Sequence, residues 1–274
     1  MQGQREVRKL KKKKRSFILE SLAIRVQTGS AMNHPNVITP LGTPFIERTV
    51  GELVAERPGR SRVFQSFGID FCCQGAKTLS EACQKRGVAL DTVVEQLEAE
   101  ANGPNEVIKN PATLPPAELI DYIVEAHHGF LHREFPRLHV MAERVASVHG
   151  GHTPSLIQVK EVLNSLIAEL DEHMEKEEQV LFPAIRTLVS GGSAMPLDGP
   201  IACMMREHED AGGDLAQLRA LTYEYDPPAE ACNTYRALFA GLADLEEDLH
   251  RHIHLENQVL FPAALTLAAN VVRS

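Results

Sequence analysis

The stretch HIHLENQVLFPA, residues 252–263, repeats HMEKEEQVLFPA, residues 173–184, with eight of twelve positions identical. Each copy ends a run of apolar residues spaced three and four apart, which is the period of an amphipathic helix. Each copy also places a histidine and a glutamate four residues apart on that apolar face: His173 with Glu177, and His252 with Glu256. Burying such groups unpaired is costly. The repeat therefore predicts two helices of one bundle whose buried ionisable residues are neutralised by something else.

Two apolar stripes carry these pairs. The earlier one comprises Val159, Leu163, Leu166, Leu170, His173, Glu177 and Val180, and the later one Leu238, Leu242, Leu245, Leu249, His252, Glu256 and Val259. On the later helix, His250 and His254 point away from the stripe at about 100° per residue. They fall on the side that carries Glu246, Glu247 and Gln258, so we expect both histidines to be solvated.

Two further stripes each carry one histidine. One comprises Ile201, Met204, His208, Ala211, Leu215 and Leu218, and the other Val124, His128, Leu131, Phe135, Leu138 and Val145. His127 fits the latter stripe almost as well. His128 precedes His173 by 45 residues, and His208 precedes His252 by 44 residues, so the two halves of the repeat match when His128 is chosen. His149 lies on the same stripe, about 31 Å further along a continuous helix, and is left out.

These four patterns are separated by HGGHTP, GGSAMPLDGP and YDPPAEA, which are short loop sequences. Long helices with short loops predict an antiparallel up-down-up-down bundle over residues 117–270. A small helical domain, residues 44–109, precedes it, with capping-box spacings at Thr49 to Glu52 and Thr78 to Glu81. The fold class is therefore all-α. Residues 1–43 form a basic extension that we expect to be disordered; the alternatives are an arm that binds nucleic acid or a membrane surface, and a natural start at Met32.

Composition excludes several function classes. The net charge of -9 and a pI near 5.7 argue against a nucleic-acid surface, and no window approaches a membrane span. No secretory signal pattern is present, which predicts a cytoplasmic protein. There, the five cysteines are expected to be thiols or metal ligands. The oligomeric state stays open, with a dimer as one option.

Six buried polar residues converge at one end of the predicted bundle: His128, His173, Glu177, His208, His252 and Glu256. Imidazole and carboxylate ligands without thiolate suit iron or manganese, and facing carboxylates of a bundle can bridge two ions. Each ion would then receive two histidines, two carboxylate oxygens and a shared oxo or hydroxo group. A single zinc ion would leave two groups unexplained, and simple core hydrogen bonds are the other alternative.

Four further histidines, His127, His132, His139 and His152, are interpreted as surface, outer-layer or loop residues. Glu169 and Glu207 are candidates for supporting the ligands, because they neighbour them in the sequence.

Cys72 and Cys73 stand side by side in FGIDFCCQGAKTLSEAC, shortly before the helix that begins after Thr78. A helix N-terminus lowers a thiol pKa, and the surrounding Gly68, Asp70 and Gly75 favour an exposed turn. The alternative is a buried pair of small apolar residues. Cys83, Cys203 and Cys232 are interpreted as structural. The linker NPATLPP, residues 110–116, joins the small domain to the start of the first bundle helix, which lies at the metal end of the bundle, so the cysteine pair could take part in thiol and iron transfer.

At these residues the sequence resembles the repair-of-iron-centres family, over about residues 45–268. The shared marks are DFCC at 70–73, in an N-terminal domain of the ScdA type, HxxxEEQVLFP at 173–183, REHEDAG at 206–212 and HIHLENQVLFP at 252–262. The basic extension departs from the family pattern, as does Gln74, where glycine is common.

The resemblance implies a hemerythrin-like bundle with two non-haem iron ions held by the same six residues, and functional importance for Cys72 and Cys73. It also implies that damaged iron-sulfur proteins are the partners and that the protein restores their clusters after oxidative or nitrosative stress by supplying iron. Two alternatives remain at this point: a di-iron enzyme that reduces nitric oxide, and a protein that binds or senses O2 or NO.

Overall fold

The computed structural model describes residues 45–101, 110–193 and 195–273, which are helices and their connections. The predicted extension, residues 1–43, and the start at Met32 lie outside these ranges. Within them no β-strand occurs, and an isolated bridge joins Thr49 to Thr78. The expected all-α class is confirmed. None of the helices in the described ranges combines the length and the apolar character needed to cross a membrane.

Four short helices build the small domain: α1 (Val50–Glu56), α2 (Arg60–Ser66), α3 (Leu79–Arg86) and α4 (Leu90–Ala101). Both predicted capping boxes are present. Thr49 accepts from the backbone of Glu52, and Thr78 accepts from the backbone of Glu81, with each glutamate returning a bond to its cap.

Four long helices form the bundle. Helix α5 runs through Pro116–Tyr122, Ile123–His128 and Gly129–His149; α6 through Ser155–Lys176, Glu177–Leu181 and Phe182–Val189; α7 spans Asp198–Leu221; and α8 runs through Asn233–Leu255, Glu256–Leu260 and Phe261–Arg273. Helix α6 packs against α5 and α7, and α8 against the same two helices. This is the expected antiparallel four-helix bundle.

The middle segments of α5, α6 and α8 are π-helical turns. A π turn has one residue more than an α turn, so it shifts the buried face by one position. The predicted stripes continued to Val180 and Val259, which was wrong. Val180 is 48% exposed while Leu181 is buried, and Leu260 is buried where Val259 is only partly so.

The small domain packs directly on α8. Ile253 of α8 belongs to the apolar core of the small domain, beside Phe71 and Cys72. His254 is buried, with its ring edge-on to Phe71, and His250 packs against the same phenyl ring. The expectation that His250 and His254 are solvated was therefore wrong, because the back of this helix is covered by the small domain.

Glu246, assigned to the same solvated side, is also buried. It accepts two hydrogen bonds from the guanidinium of Arg219 on α7, one of them at 3.0 Å from Nε. Glu247, His250 and Gln258 of that predicted surface are partly exposed. The periodicity of one helix identifies its apolar face. It does not indicate whether another domain packs on the opposite, more polar face.

Candidate metal centre

The six residues selected from the apolar stripes lie together inside the bundle. Helices α5 and α7 contribute one histidine each, and α6 and α8 contribute one histidine and one glutamate each. All are buried, and none is more than 1% exposed: His128, His173, Glu177, His208, His252 and Glu256.

Half of these side chains belong to π turns. His128 ends the π turn of α5, whereas Glu177 and Glu256 begin those of α6 and α8. Single π turns inside α-helices are often found at functional sites, since they redirect side chains that a regular helix would space evenly. The helix that carries His208, α7, is regular throughout.

The six side chains form two four-residue groups with ligand atoms within 4.8 Å of one another. One group comprises His128, His252, Glu177 and Glu256, and the other comprises His173, His208, Glu177 and Glu256. Each group therefore has two histidines of its own, while both glutamates belong to both groups. This sharing is the geometry expected of two adjacent cations bridged by carboxylates.

Most of the polar atoms that face the space between the six side chains lack well-directed hydrogen-bond partners. The four carboxylate oxygens of Glu177 and Glu256, and Nε2 of His128 and His252, make no well-directed hydrogen bond among the described residues. Their close neighbours are the other ligands: Glu256 oxygens lie 3.1 Å from Nε2 of His208 and of His252, and Glu177 Oε2 lies 3.5 Å from Nε2 of His128 and of His173. The Nε2 atoms of His173 and His208 lie 3.0 Å apart. Buried polar atoms without partners are rare in proteins and call for an explanation. A cation at each group would satisfy them, so the donor set fits metal ions bound by nitrogen and oxygen.

Three of the four histidines form a hydrogen bond through Nδ1, the ring nitrogen that faces away from the centre. His128 donates to Glu178 at 2.7 Å, His173 to Glu207 at 2.8 Å and His208 to Asn257 at 2.9 Å. Such outer partners fix the ring and leave Nε2 free to face a metal. His252 Nδ1 has no partner in the described part of the chain.

Only one of these three Nδ1 acceptors was predicted from the sequence. Glu207 lies where expected, but Glu169 contacts Ser165 and no histidine of the centre. Glu178 and Asn257 were missed, although each directly follows a glutamate of the repeat. That matched position in both copies was the available signal.

Outside the six, the remaining histidines behave differently from one another. His127 is buried, and its Nδ1 lies 3.0 Å from Asp248. His132, His139 and His152 are exposed. His149 ends α5 and contacts Cys232, with 3.3 Å between Nε2 and Sγ, so it lies outside the centre as predicted.

Electrostatics within the centre favour a bound cation. Burial and the neighbouring charge of Glu256 raise the pKa of Glu177. Burial opposes ionisation of Glu256 too, but His252 and His208 hold its pKa well below the usual range. Burial likewise disfavours the charged form of His208, yet Glu256 and Glu177 raise its pKa to about 9. Two carboxylates in a dry interior thus draw positive charge toward the position between them.

The cysteine pair lies in a turn against this centre. Asp70 Oδ1 accepts from the backbone nitrogens of Cys72 and Cys73, at 3.1 and 2.9 Å. The Cys73 thiol donates to the backbone oxygen of His208 at 3.4 Å, and the two sulfur atoms are 3.9 Å apart. Asp70, Cys72 and Cys73 also form a third group with metal-ligand spacing.

The expected exposed, acidified thiols are not what the structure contains at Cys72. That side chain is 3% exposed. The hydrogen bond with Cys73, followed by burial, raises its pKa well above the usual value. The expectation was wrong because the turn packs inward against α7 and α8, which outweighs the helix N-terminus. Cys73 is half-buried.

Comparison with known proteins agrees with this geometry. Residues 119–264, more than half of the chain, match the Hemerythrin HHE cation binding domain, and residues 46–101 match a Domain of Unknown function (DUF542). The Iron-sulfur cluster repair protein YtfE of Musicola paradisiaca (strain Ech703) is 39% identical over 222 residues, which is 81% of this chain and 97% of the relative.

Two further relatives are similar over the same share of the chain. The Iron-sulfur cluster repair protein YtfE of Edwardsiella ictaluri (strain 93-146) is 39% identical over 81% of this chain and 98% of its own length. The Probable iron-sulfur cluster repair protein of Haemophilus influenzae is 36% identical over 81% of this chain and 98% of its own length. Both domains of this chain thus have matches, and the resemblance seen in the motifs is confirmed. The chain belongs to the family of iron-sulfur cluster repair proteins with a hemerythrin HHE cation-binding domain.

Proposed function

We propose that this protein holds two iron ions in the bundle and supplies iron to iron-sulfur clusters damaged by oxidative or nitrosative stress. The observation that carries the proposal is the sharing of Glu177 and Glu256 by two groups of buried ligand atoms. The names of the relatives support the cluster-repair part. Damaged iron-sulfur proteins are then the partners.

In this proposal His128 and His252 hold one ion, and His173 and His208 hold the other. Glu177 and Glu256 would serve both ions, with an oxo or hydroxo group as a further shared ligand. The bound iron would be the material delivered to damaged clusters and would provide the redox chemistry of the centre. The chain's own contribution is to exclude water from six buried donors and to keep a proton on Nδ1 of His128, His173 and His208, so that Nε2 stays available as a ligand.

We further propose that Cys72 and Cys73 assist transfer. Cys73 touches the backbone of His208, and the backbone oxygen of Cys72 accepts from Gln258 at 3.0 Å. Thiols are soft ligands that compete well for iron. A half-buried thiol beside a ligand-bearing helix is therefore placed between the centre and the protein surface.

The same proposal treats residues 44–109 and 117–270 as the thiol-bearing and the metal-bearing domain. It also locates the protein in the cytoplasm, since all five cysteines are free thiols, as expected in a reducing compartment.

A reconstitution experiment tests the function. The iron-loaded full chain is mixed anaerobically with a dehydratase whose cluster has been damaged by nitric oxide, and recovered dehydratase activity is measured. We expect recovery with the wild type, and none with His173→Ala or Glu256→Ala, which should also retain far less iron on metal analysis. Exposed Glu169→Ala is the matched control and should behave as wild type. Absence of recovery, together with catalytic turnover of nitric oxide, would replace repair by a reductase function.

A further inference from the structure

The centre has an approximate internal twofold arrangement. The half formed by α5 and α6 corresponds to the half formed by α7 and α8, so that His128 matches His208, His173 matches His252, and Glu177 matches Glu256. Outer partners can be compared by the same correspondence. Glu178 follows Glu177 and holds His128; Asn257 follows Glu256 and holds His208.

The second pair of outer positions breaks this correspondence. Glu207 directly precedes His208 and accepts from His173 Nδ1 at 2.8 Å. The matching position before His128 is His127. Its ring lies parallel to that of His252, with centroids 5.4 Å apart and an interplanar angle of 6°, and its Nδ1 is bonded to Asp248. Stacked rings do not exchange an N–H donor and acceptor in their planes, so His252 Nδ1 is left without an acceptor.

The two candidate ion positions therefore differ in their support. The position held by His173 and His208, position B, has an acceptor behind both histidines, and one of these is the carboxylate Glu207. The position held by His128 and His252, position A, has an acceptor behind His128 only. The shared glutamates cannot compensate, because they serve both positions equally.

We propose that the two ions are inequivalent and that the ion at position A is released first and is the one supplied. The proposal rests on the dinuclear iron centre of the proposed function and deepens it. An outer acceptor orients a ligating imidazole and raises its basicity, and its loss commonly lowers metal affinity by about 10-fold to 100-fold. Position A lacks one such acceptor, so an ion bound there should dissociate faster than one at position B by a factor of that order.

Iron release to a chelator tests this directly. The full chain is loaded anaerobically with two ferrous ions, mixed with excess ferrozine, and the coloured complex is followed in time. We expect two phases of equal amplitude for the wild type, with rate constants separated by about 10-fold or more.

Variants assign each phase to a position. Glu207→Leu removes the acceptor behind His173 and fills its place with an apolar group, so only the slow phase should accelerate, by about 10-fold or more. Glu178→Leu removes the acceptor behind His128, so only the fast phase should accelerate. Exposed Glu169→Leu should change neither phase, because Glu169 contacts Ser165. Circular dichroism and the initial iron content establish that each variant is folded and loaded.

The outcomes separate the two proposals. A wild-type chain that binds one ion only would overturn the dinuclear centre, and this inference with it. Two ions that leave in one phase, or Glu207→Leu and Glu178→Leu changing the same phase equally, would overturn the inequivalence and leave the dinuclear centre standing.

Discussion

Gln258 donates from Nε2 to the backbone oxygen of Cys72 at 3.0 Å, which fixes the small domain to α8. The close contact between Gln258 and the small domain requires a glycine at position 51. A Cβ on Gly51 would lie 2.7 Å from Gln258 Oε1 and 2.9 Å from the backbone oxygen of Gly75. Gly51→Ala should therefore push the domain from α8 and lower the free energy of unfolding by about 1–3 kcal/mol, as overpacking does. Denaturant unfolding measures this change.

Gly213→Ala is the matched control. Gly213 lies in a helix, as Gly51 does, but it is exposed and has nothing within 4 Å of its added Cβ. It should stabilise the protein by about 0.4–1 kcal/mol, since alanine loses less conformational entropy on folding. The same sign for both variants would contradict the tight approach at Gly51.

His254 makes the metal-free protein sensitive to acid. Burial lowers the pKa of this histidine to about 4, from a reference near 6.5. Between these values the unfolded chain binds a proton that the folded chain does not, so the free energy of unfolding falls as pH is lowered from about 6.5 to about 4. The loss can reach about 3 kcal/mol.

Denaturant unfolding of the metal-free protein at pH 7 and pH 4.5 measures this loss. His254→Gln, which does not titrate, should lose less stability across the interval than the wild type, whatever its stability at pH 7. The same replacement at exposed His132 is the control for the substitution itself. Equal pH dependence in wild type and His254→Gln would contradict the buried, neutral state of His254.

The π turn that begins at Glu177 can be tested by two truncations. On a regular helix Phe182 would lie about 140° from Glu177, at about 100° per residue, and would face away from the core. In the structure Phe182 is 2% exposed, whereas Val180 is 48% exposed. Phe182→Ala should therefore cost about 3–5 kcal/mol of unfolding free energy, whereas Val180→Ala should stay within about 0.5 kcal/mol. Thermal unfolding measures both changes, and a loss at Phe182 as small as that at Val180 would indicate a regular helix.

The thiols should react with iodoacetamide in a defined order. Cys232 is exposed, Cys73 is half-buried and Cys72 is buried with a raised pKa. Because the thiolate is the reacting species and needs access, labelling should proceed from Cys232 to Cys73 and then to Cys72. Peptide mass spectrometry after short exposures gives the order. Early labelling of Cys72 would show that the turn opens readily.

The parts of this protein that follow from helical periodicity were accessible from the sequence. The stripe through Leu163, Leu166 and Leu170 gives the buried face of α6, and the core contains all three. The histidine choice at His128 depended on the repeat, since His127 is buried too. The structure brings together all six residues that the stripes selected.

The rest depends on contacts that no single helix encodes. The period of a regular helix carries no signal for a π turn, so the burial of Phe182 after Glu177 could not be predicted from the stripe. The burial of His254 comes from Phe71, far away in the chain. Likewise the acceptor behind His208 is Asn257 on another helix. Tertiary packing decided each of these positions.

The π turns also bear on attempts to copy this centre into a designed protein. Designed bundles use regular helices with a constant heptad phase. Placing His-x-x-x-Glu on such a helix would turn Phe182, which is buried in the natural helix, about 140° away from Glu177 at about 100° per residue, because the π turn would be missing. A copy of the centre therefore needs a π turn in each of the two helices that carry a ligand glutamate, and the spacing of the motif alone does not specify that turn.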